Sequence, residues 1–91
     1  MTQTVVDNTA QRRFELTEQG LTAFADYHLS GDRLAIPHVE APPALRGTGT
    51  AGRLMTGLLD LARSRGLKVV PICPYAKVFI QRHPEYQDLL A

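Results

Sequence analysis

Arg46-Gly47-Thr48-Gly49-Thr50-Ala51-Gly52 is the densest chemical signal in this chain. Glycines at that spacing let a backbone turn tightly and approach a ligand with no Cβ in the way. The segment runs straight into a helical periodicity, so unpaired amides and the positive end of a helix dipole would offer a seat for phosphate oxygens. The simpler alternative is a tight turn and helix cap with no ligand, but Gly47, Gly49, Ala51 and Gly52 are more small residues than a cap requires. A second group can move protons. His38 and Glu40 stand two apart in a strand-like stretch, so they share a face while Val39 points the other way. An imidazole and a carboxylate so placed can work together as a base. Cys73 ends a β-branched run beside Pro74, just before a helix expected to begin near Tyr75. A thiol at a helix head is one of the placements in which cysteine acts chemically, and the competing reading is a buried structural cysteine. Tyr75 could donate a phenolic proton, although as the first apolar residue of that helix it is expected to be buried. His83, before Pro84, reads as a surface or capping residue.

Two familiar phosphate motifs are tested against these residues. A P-loop fails because no Lys-Ser/Thr follows the glycines at the required spacing. Gly47-x-Gly49-x-x-Gly52 fits the dinucleotide fingerprint literally, but that motif needs its turn directly after a strand, and Ala41-Pro42-Pro43-Ala44-Leu45 intervenes. It also needs an acidic residue about 20 positions on, where this chain has Ile72-Cys73-Pro74.

The elements that would position these groups change period along the chain. Val5-Val6 opens an apolar stretch and Asp7-Asn8 supplies turn chemistry. Phe14 and Leu16 alternate with Arg13 and Glu15, as in a half-buried strand. After a turn at Glu18-Gln19-Gly20, Leu21 to Leu29 reads as a strand, with a helix as the alternative. Leu34 to Val39 is a third strand, and Pro37 marks an edge or a bulge where a ladder bond is missing. From Ala51, Leu54, Met55, Leu58, Leu59, Leu61 and Ala62 recur at helical steps, and Gly66 is the stop. Leu67 to Cys73 reads as a buried strand. A short helix from about Tyr75 to before Pro84 is expected to bury Tyr75, Val78 and Phe79. The sum is an α+β or mixed α/β fold: an antiparallel β meander, then a β-α-β unit and a short C-terminal helix.

The 91 residues suit one domain spanning 1–91. A formal net charge of +1 argues against a nucleic-acid binder, and no apolar run approaches a membrane span. One cysteine allows no internal disulfide and no cysteine-pair zinc site, so no metal is expected. A small cytoplasmic domain remains, monomeric or a weak homodimer through an uncovered sheet edge.

Arg46-x-x-Gly49-x-Ala51 between a strand and an amphipathic helix resembles the pyrophosphate-binding loop of the GNAT superfamily of acetyl-CoA-dependent N-acetyltransferases. His38-Val39-Glu40, Gly66-Leu67-Lys68-Val69, Pro71-x-Cys73-x-Tyr75 and His83-Pro84-Glu85-Tyr86 extend the resemblance to the minimal single-domain subfamily, over Phe14 to Tyr86. Val39 departs from it, standing where the subfamily often has threonine. The resemblance implies acetyl transfer from acetyl-CoA to an amine acceptor by direct attack, without nucleic acid, membrane or metal. It implies a pantetheine arm paired with the backbone of Val39, Glu40 and Ala41, and a diphosphate on Arg46, Gly47, Thr48, Gly49, Thr50, Ala51 and Gly52. Proton traffic falls to Cys73, His38, Glu40 and Tyr75. The alternatives are a CoA-binding module with little catalysis, or an interaction module of the same fold.

Overall fold

The alternating apolar residues of the N-terminal half build a sheet with one buried face. In a computed structural model, which describes residues 4–91, strands β1 (Val6–Asn8), β2 (Arg13–Glu18), β3 (Leu21–Ser30) and β4 (Arg33–Glu40) form an antiparallel meander. A 3₁₀ turn at Pro43–Leu45 leads to helix α1 (Thr50–Ser64), which returns the chain to β5 (Lys68–Pro71), parallel to β4. Helix α2 (Pro74–Arg82) and a 3₁₀ segment (Pro84–Leu89) complete it, with strands in the order β1-β2-β3-β4-β5. Phe14, Leu16, Ala23, Ala25 and Ile36 face the helices and are fully buried against Leu54, Met55, Leu58 and Leu59 of α1. Each large side chain so buried contributes about 1.5–3 kcal/mol, which holds a helix of this length on the sheet. The opposite face of the sheet, bearing Arg13, Glu15, Phe24, His38 and Glu40, is half-buried or exposed.

The register of β3 and β4 explains Pro37. Asp26 pairs with His38 and His28 with Ala35, so Ile36 and Pro37 together stand opposite Tyr27. The bulge accommodates a residue that cannot donate to the ladder. It also shifts the alternation of β4. Leu34 and Ile36 face the core before it; beyond it Val39, opposite buried Ala25, faces the core instead. Uninterrupted pairing would have driven His38 and Glu40 inward behind Ile36.

Several expectations change. Asp7-Asn8 is strand, and the turn follows at residues 9–12. The Asp7 carboxylate accepts from the Tyr27 hydroxyl at 2.7 Å and from Arg65 at 2.6 Å, so its polar group is satisfied without a turn. Residues 21–29 are strand throughout. β5 is shorter than the apolar run that encodes it, ending at Pro71. In α2 the buried face is Ala76, Phe79 and Ile80; Tyr75 and Val78 are about two-fifths exposed. The stripe that packs lies one residue on from the expected one, about 100° round the helix. Burial and the Asp7 hydrogen bond push the Tyr27 phenol up to about 12, so it is a permanent donor at working pH. Tyr27→Phe is expected to cost about 1 kcal/mol, a fall of roughly 4–8 °C in Tm by thermal melting, by removing the side-chain hydrogen bond that ties β3 to β1.

Candidate functional site

β4 and β5 part company where the chemistry-bearing residues begin. Their parallel ladder ends at Ile36↔Pro71. The Ile36 carbonyl then accepts both the Ile72 amide at 3.1 Å and the Cys73 amide at 2.9 Å. Beyond that point β4 remains paired with β3 through Glu40, but among the described residues its β5-side edge has no partner strand. A V-shaped gap therefore opens with Cys73 at its apex and the backbone of residues 38–41 along one arm. An extended chain with amide groups could pair there as an added strand does.

The wide end of the gap is closed by the glycine loop. Pro42 and Pro43 set a 3₁₀ turn, with Leu45 N–H on the Pro42 carbonyl at 2.9 Å, and the buried Leu45 side chain anchors it. Gly47 and Gly49 then adopt φ of +79° and +88°, a left-handed backbone that glycine enters without strain. Such reversals turn neighbouring amides to one side. The amides of Gly47, Gly49, Thr50, Ala51 and Gly52 donate to no acceptor among the described residues. Among the described residues no side chain caps α1, and its first turn carries no acid that would compete for the dipole. Ala41, Leu45, Arg46, Gly47, Gly49, Thr50, Ala51, Gly52 and Tyr75 line a cavity of about 250 Å³ at this place. Arg46 is its one charged lining side chain. Open amides, a cation and small residues fit phosphate oxygens.

Behind the loop lies a polar cluster. Glu18 ends β2 on the face of Phe14 and Leu16, which aims its carboxylate at α1. It accepts from Arg53 Nε and Nη2, both at 2.7 Å, and from the hydroxyl of fully buried Thr50. Arg53 Nη2 also donates to the Thr48 carbonyl at 3.0 Å. The Arg53 hydrogen bonds, then the Thr50 hydroxyl, hold the Glu18 carboxyl down to about 2 from its ordinary 4.5. A depressed folded pKa contributes stability above the unfolded value that is lost as pH falls through the folded one. Melting temperature is accordingly expected to drop between about pH 5 and pH 2 more steeply in the parent than in Glu18→Gln.

The remaining sequence-singled residues fall into two places. Cys73 is buried at the head of α2, its carbonyl accepting the Lys77 amide. Tyr75 reaches the cavity: a Cβ built on Gly52 would lie 3.9 Å from its hydroxyl. Burial raises the Tyr75 phenol above its ordinary range, with Cys73 adding to the shift, so it too stays protonated. His38 and Glu40 stand on the other face of β4, Nε2 and Oε1 3.4 Å apart and each about half exposed. Val39 packs toward the core beneath the open edge. Thr48 does not line the cavity; its hydroxyl is engaged by the Leu45 carbonyl and by Thr50. The His83 ring stacks on Phe79 with Nδ1 2.7 Å from the Phe79 carbonyl, sealing the end of α2. Among the described residues, no cluster of three or more His, Cys, Asp or Glu could hold a metal, and no helix is long and apolar enough to cross a membrane.

A strand splayed at its C-terminal half, then a glycine loop and a helix with open amides, is an arrangement that can be compared with known families. The model of the GCN5-related N-acetyltransferase family matches residues 13–89. The chain belongs to that family. No curated protein matches it. Among solved structures, the NMR solution structure of a GCN5-like candidate N-acetyltransferase from Staphylococcus aureus superposes with a TM-score of 0.69 at 20% identity, covering 96% of this chain and 86% of that one. At that identity the likeness speaks for the fold: a five-stranded sheet with helices, shared with a GCN5-like protein. What the sequence reading missed in this family member is Glu18 and Arg53. Glu18 continues the inward set Phe14, Leu16, which signals a carboxylate needing a partner on α1. Which cation would meet it required the packing of α1 on β2.

Proposed function

We propose that this protein, as a single domain over residues 1–91, transfers an acetyl group from acetyl-CoA to an amine acceptor in the cytoplasm. The observation that carries this reading is the row of unengaged amides at Gly47 and Gly49 to Gly52, beside a strand edge left open by its neighbour. Those amides and Arg46 would take the diphosphate. The open backbone of Val39, Glu40 and Ala41 would pair with the pantetheine arm, which directs the thioester toward the apex at Cys73. Tyr75, beside Gly52, is suited to hold the cofactor near its diphosphate end.

The bulge at Pro37 gives the two reactants separate sides of the sheet. Cofactor groups lie with the loop and α2, while His38 and Glu40 wait on the uncovered face, from which an amine can approach. The His38–Glu40 pair would take a proton from the amine as its nitrogen bonds to the thioester carbon. As the carbon–sulfur bond breaks, Cys73 would return a proton to the leaving sulfur. Holding both reactants on one strand supplies proximity as well as acid and base.

Titration calorimetry with acetyl-CoA tests the reading first: binding is expected, and no heat at millimolar cofactor would overturn it. Release of free CoA thiol with a panel of small amines, amino acids and lysine peptides then separates an enzyme from a CoA-binding module. Sedimentation equilibrium is expected to show a monomer or a weak dimer.

A further inference from the structure

We propose that Glu18 and Arg53 form a positioning clamp that makes the site select thioester donors carrying a diphosphate; the inference rests on the acetyl-CoA reading above. Neither side chain lines the cavity. Together they fix the loop that does. Glu18 sits on β2, within the rigid sheet, with its side chain only 13% exposed. It holds Arg53 through two parallel N–H···O bonds, the most directional pairing available to a guanidinium. The same guanidinium grips the Thr48 carbonyl, between the two left-handed glycines, and its Nη1 lies 2.8 Å from where a Cβ on Gly49 would stand. Glu18 also accepts the hydroxyl of Thr50, the first residue of α1.

The consequence is geometric. A glycine-rich loop has many backbone conformations, and only some turn all its amides toward one point. Tying the Thr48 carbonyl and the Thr50 hydroxyl back to β2 turns the amides of Gly47, Gly49 and Thr50 to Gly52 away from the sheet and toward the cavity. Because Glu18 takes up the Arg53 charge, the guanidinium is a brace rather than a ligand, and Arg46 is left as the cation facing a phosphate. The clamp should matter for the diphosphate and not for the arm, which pairs with β4.

The test measures binding of acetyl-CoA by calorimetry and of S-acetylpantetheine, which lacks the diphosphate, by amide chemical-shift titration. Glu18→Gln is expected to weaken acetyl-CoA binding at least tenfold while S-acetylpantetheine binding stays within twofold. Arg53→Lys, a change at a half-exposed side chain that keeps the test open should Glu18→Gln not fold, is expected to do the same. The double variant should bind acetyl-CoA no worse than the weaker single variant, as for two halves of one device. Parent-like acetyl-CoA affinity in both single variants, an equal loss on both donors, or additive losses would each overturn the clamp. Failure of the parent protein to bind acetyl-CoA would instead overturn the proposed function.

Discussion

Gly49→Val is expected to reduce acetyl-CoA affinity by at least tenfold while leaving a folded protein with a modestly lower Tm. Gly49 has φ +88°, where an L-residue pays roughly 1–2 kcal/mol and a β-branched one more. Its new Cβ would also stand 2.8 Å from Arg53 Nη1, so the guanidinium must move. Moving it releases the Thr48 carbonyl and disturbs the Glu18 pair, and relaxing the backbone re-aims the Gly49 and Thr50 amides. Every route out of the clash therefore spoils the amide row. Gly47→Ala is the informative comparison. Gly47 has nearly the same conformation, φ +79°, but nothing lies within 4 Å of a Cβ there. It should show the strain without the collision, and so a smaller loss of affinity in the same calorimetric titration. Equal affinity of Gly49→Val and the parent would mean that the loop does not hold the cofactor.

The local signals in the sequence were enough for the elements and for the loop, because both depend on neighbours in the chain. Glycines 47 and 49 needed positive φ, and the helix after them was written in the spacing of Leu54, Leu58 and Leu61. Long-range partners were not legible in the same way. Pro37 allows an edge or a bulge; the structure makes it a bulge, and its effect, turning His38 and Glu40 out and Val39 in, depends on the register with Asp26 and His28 across β3. As the first apolar residue of its helix Tyr75 reads as buried, but Ala76, Phe79 and Ile80 take the inward positions because that is the stripe that meets the sheet and α1. The Glu18–Arg53 pair joins residues 35 apart, a separation at which no periodicity carries information. Asp7 was misread for the same reason: its partners, Tyr27 and Arg65, are distant in sequence and supply what a local turn would have supplied.

Cys73→Ala is expected to lower kcat about a hundredfold or more, with acetyl-CoA affinity within twofold of the parent. Position is the reason. Cys73 is the second residue past the last β4–β5 pair, its amide fixed on the Ile36 carbonyl at 2.9 Å. The backbone there is held and the residue is buried against the core, and an arm paired along the open edge of β4 would bring its sulfur toward this apex. Losing a positioned proton donor typically costs a factor of 10² to 10⁴. The folded state should lose only about 1 kcal/mol, because alanine fills most of the same small space. Cys73→Ser keeps a proton-bearing group in place and should recover part of the rate. Tyr75→Phe should behave in the opposite sense, since its hydroxyl sits by Gly52 at the other end of the gap: acetyl-CoA binding weakens several-fold while the rate at saturation holds. Single-turnover measurements at saturating acetyl-CoA separate the two. A Cys73→Ala enzyme that turns over like the parent would make the thiol a packing residue and overturn its role as proton donor.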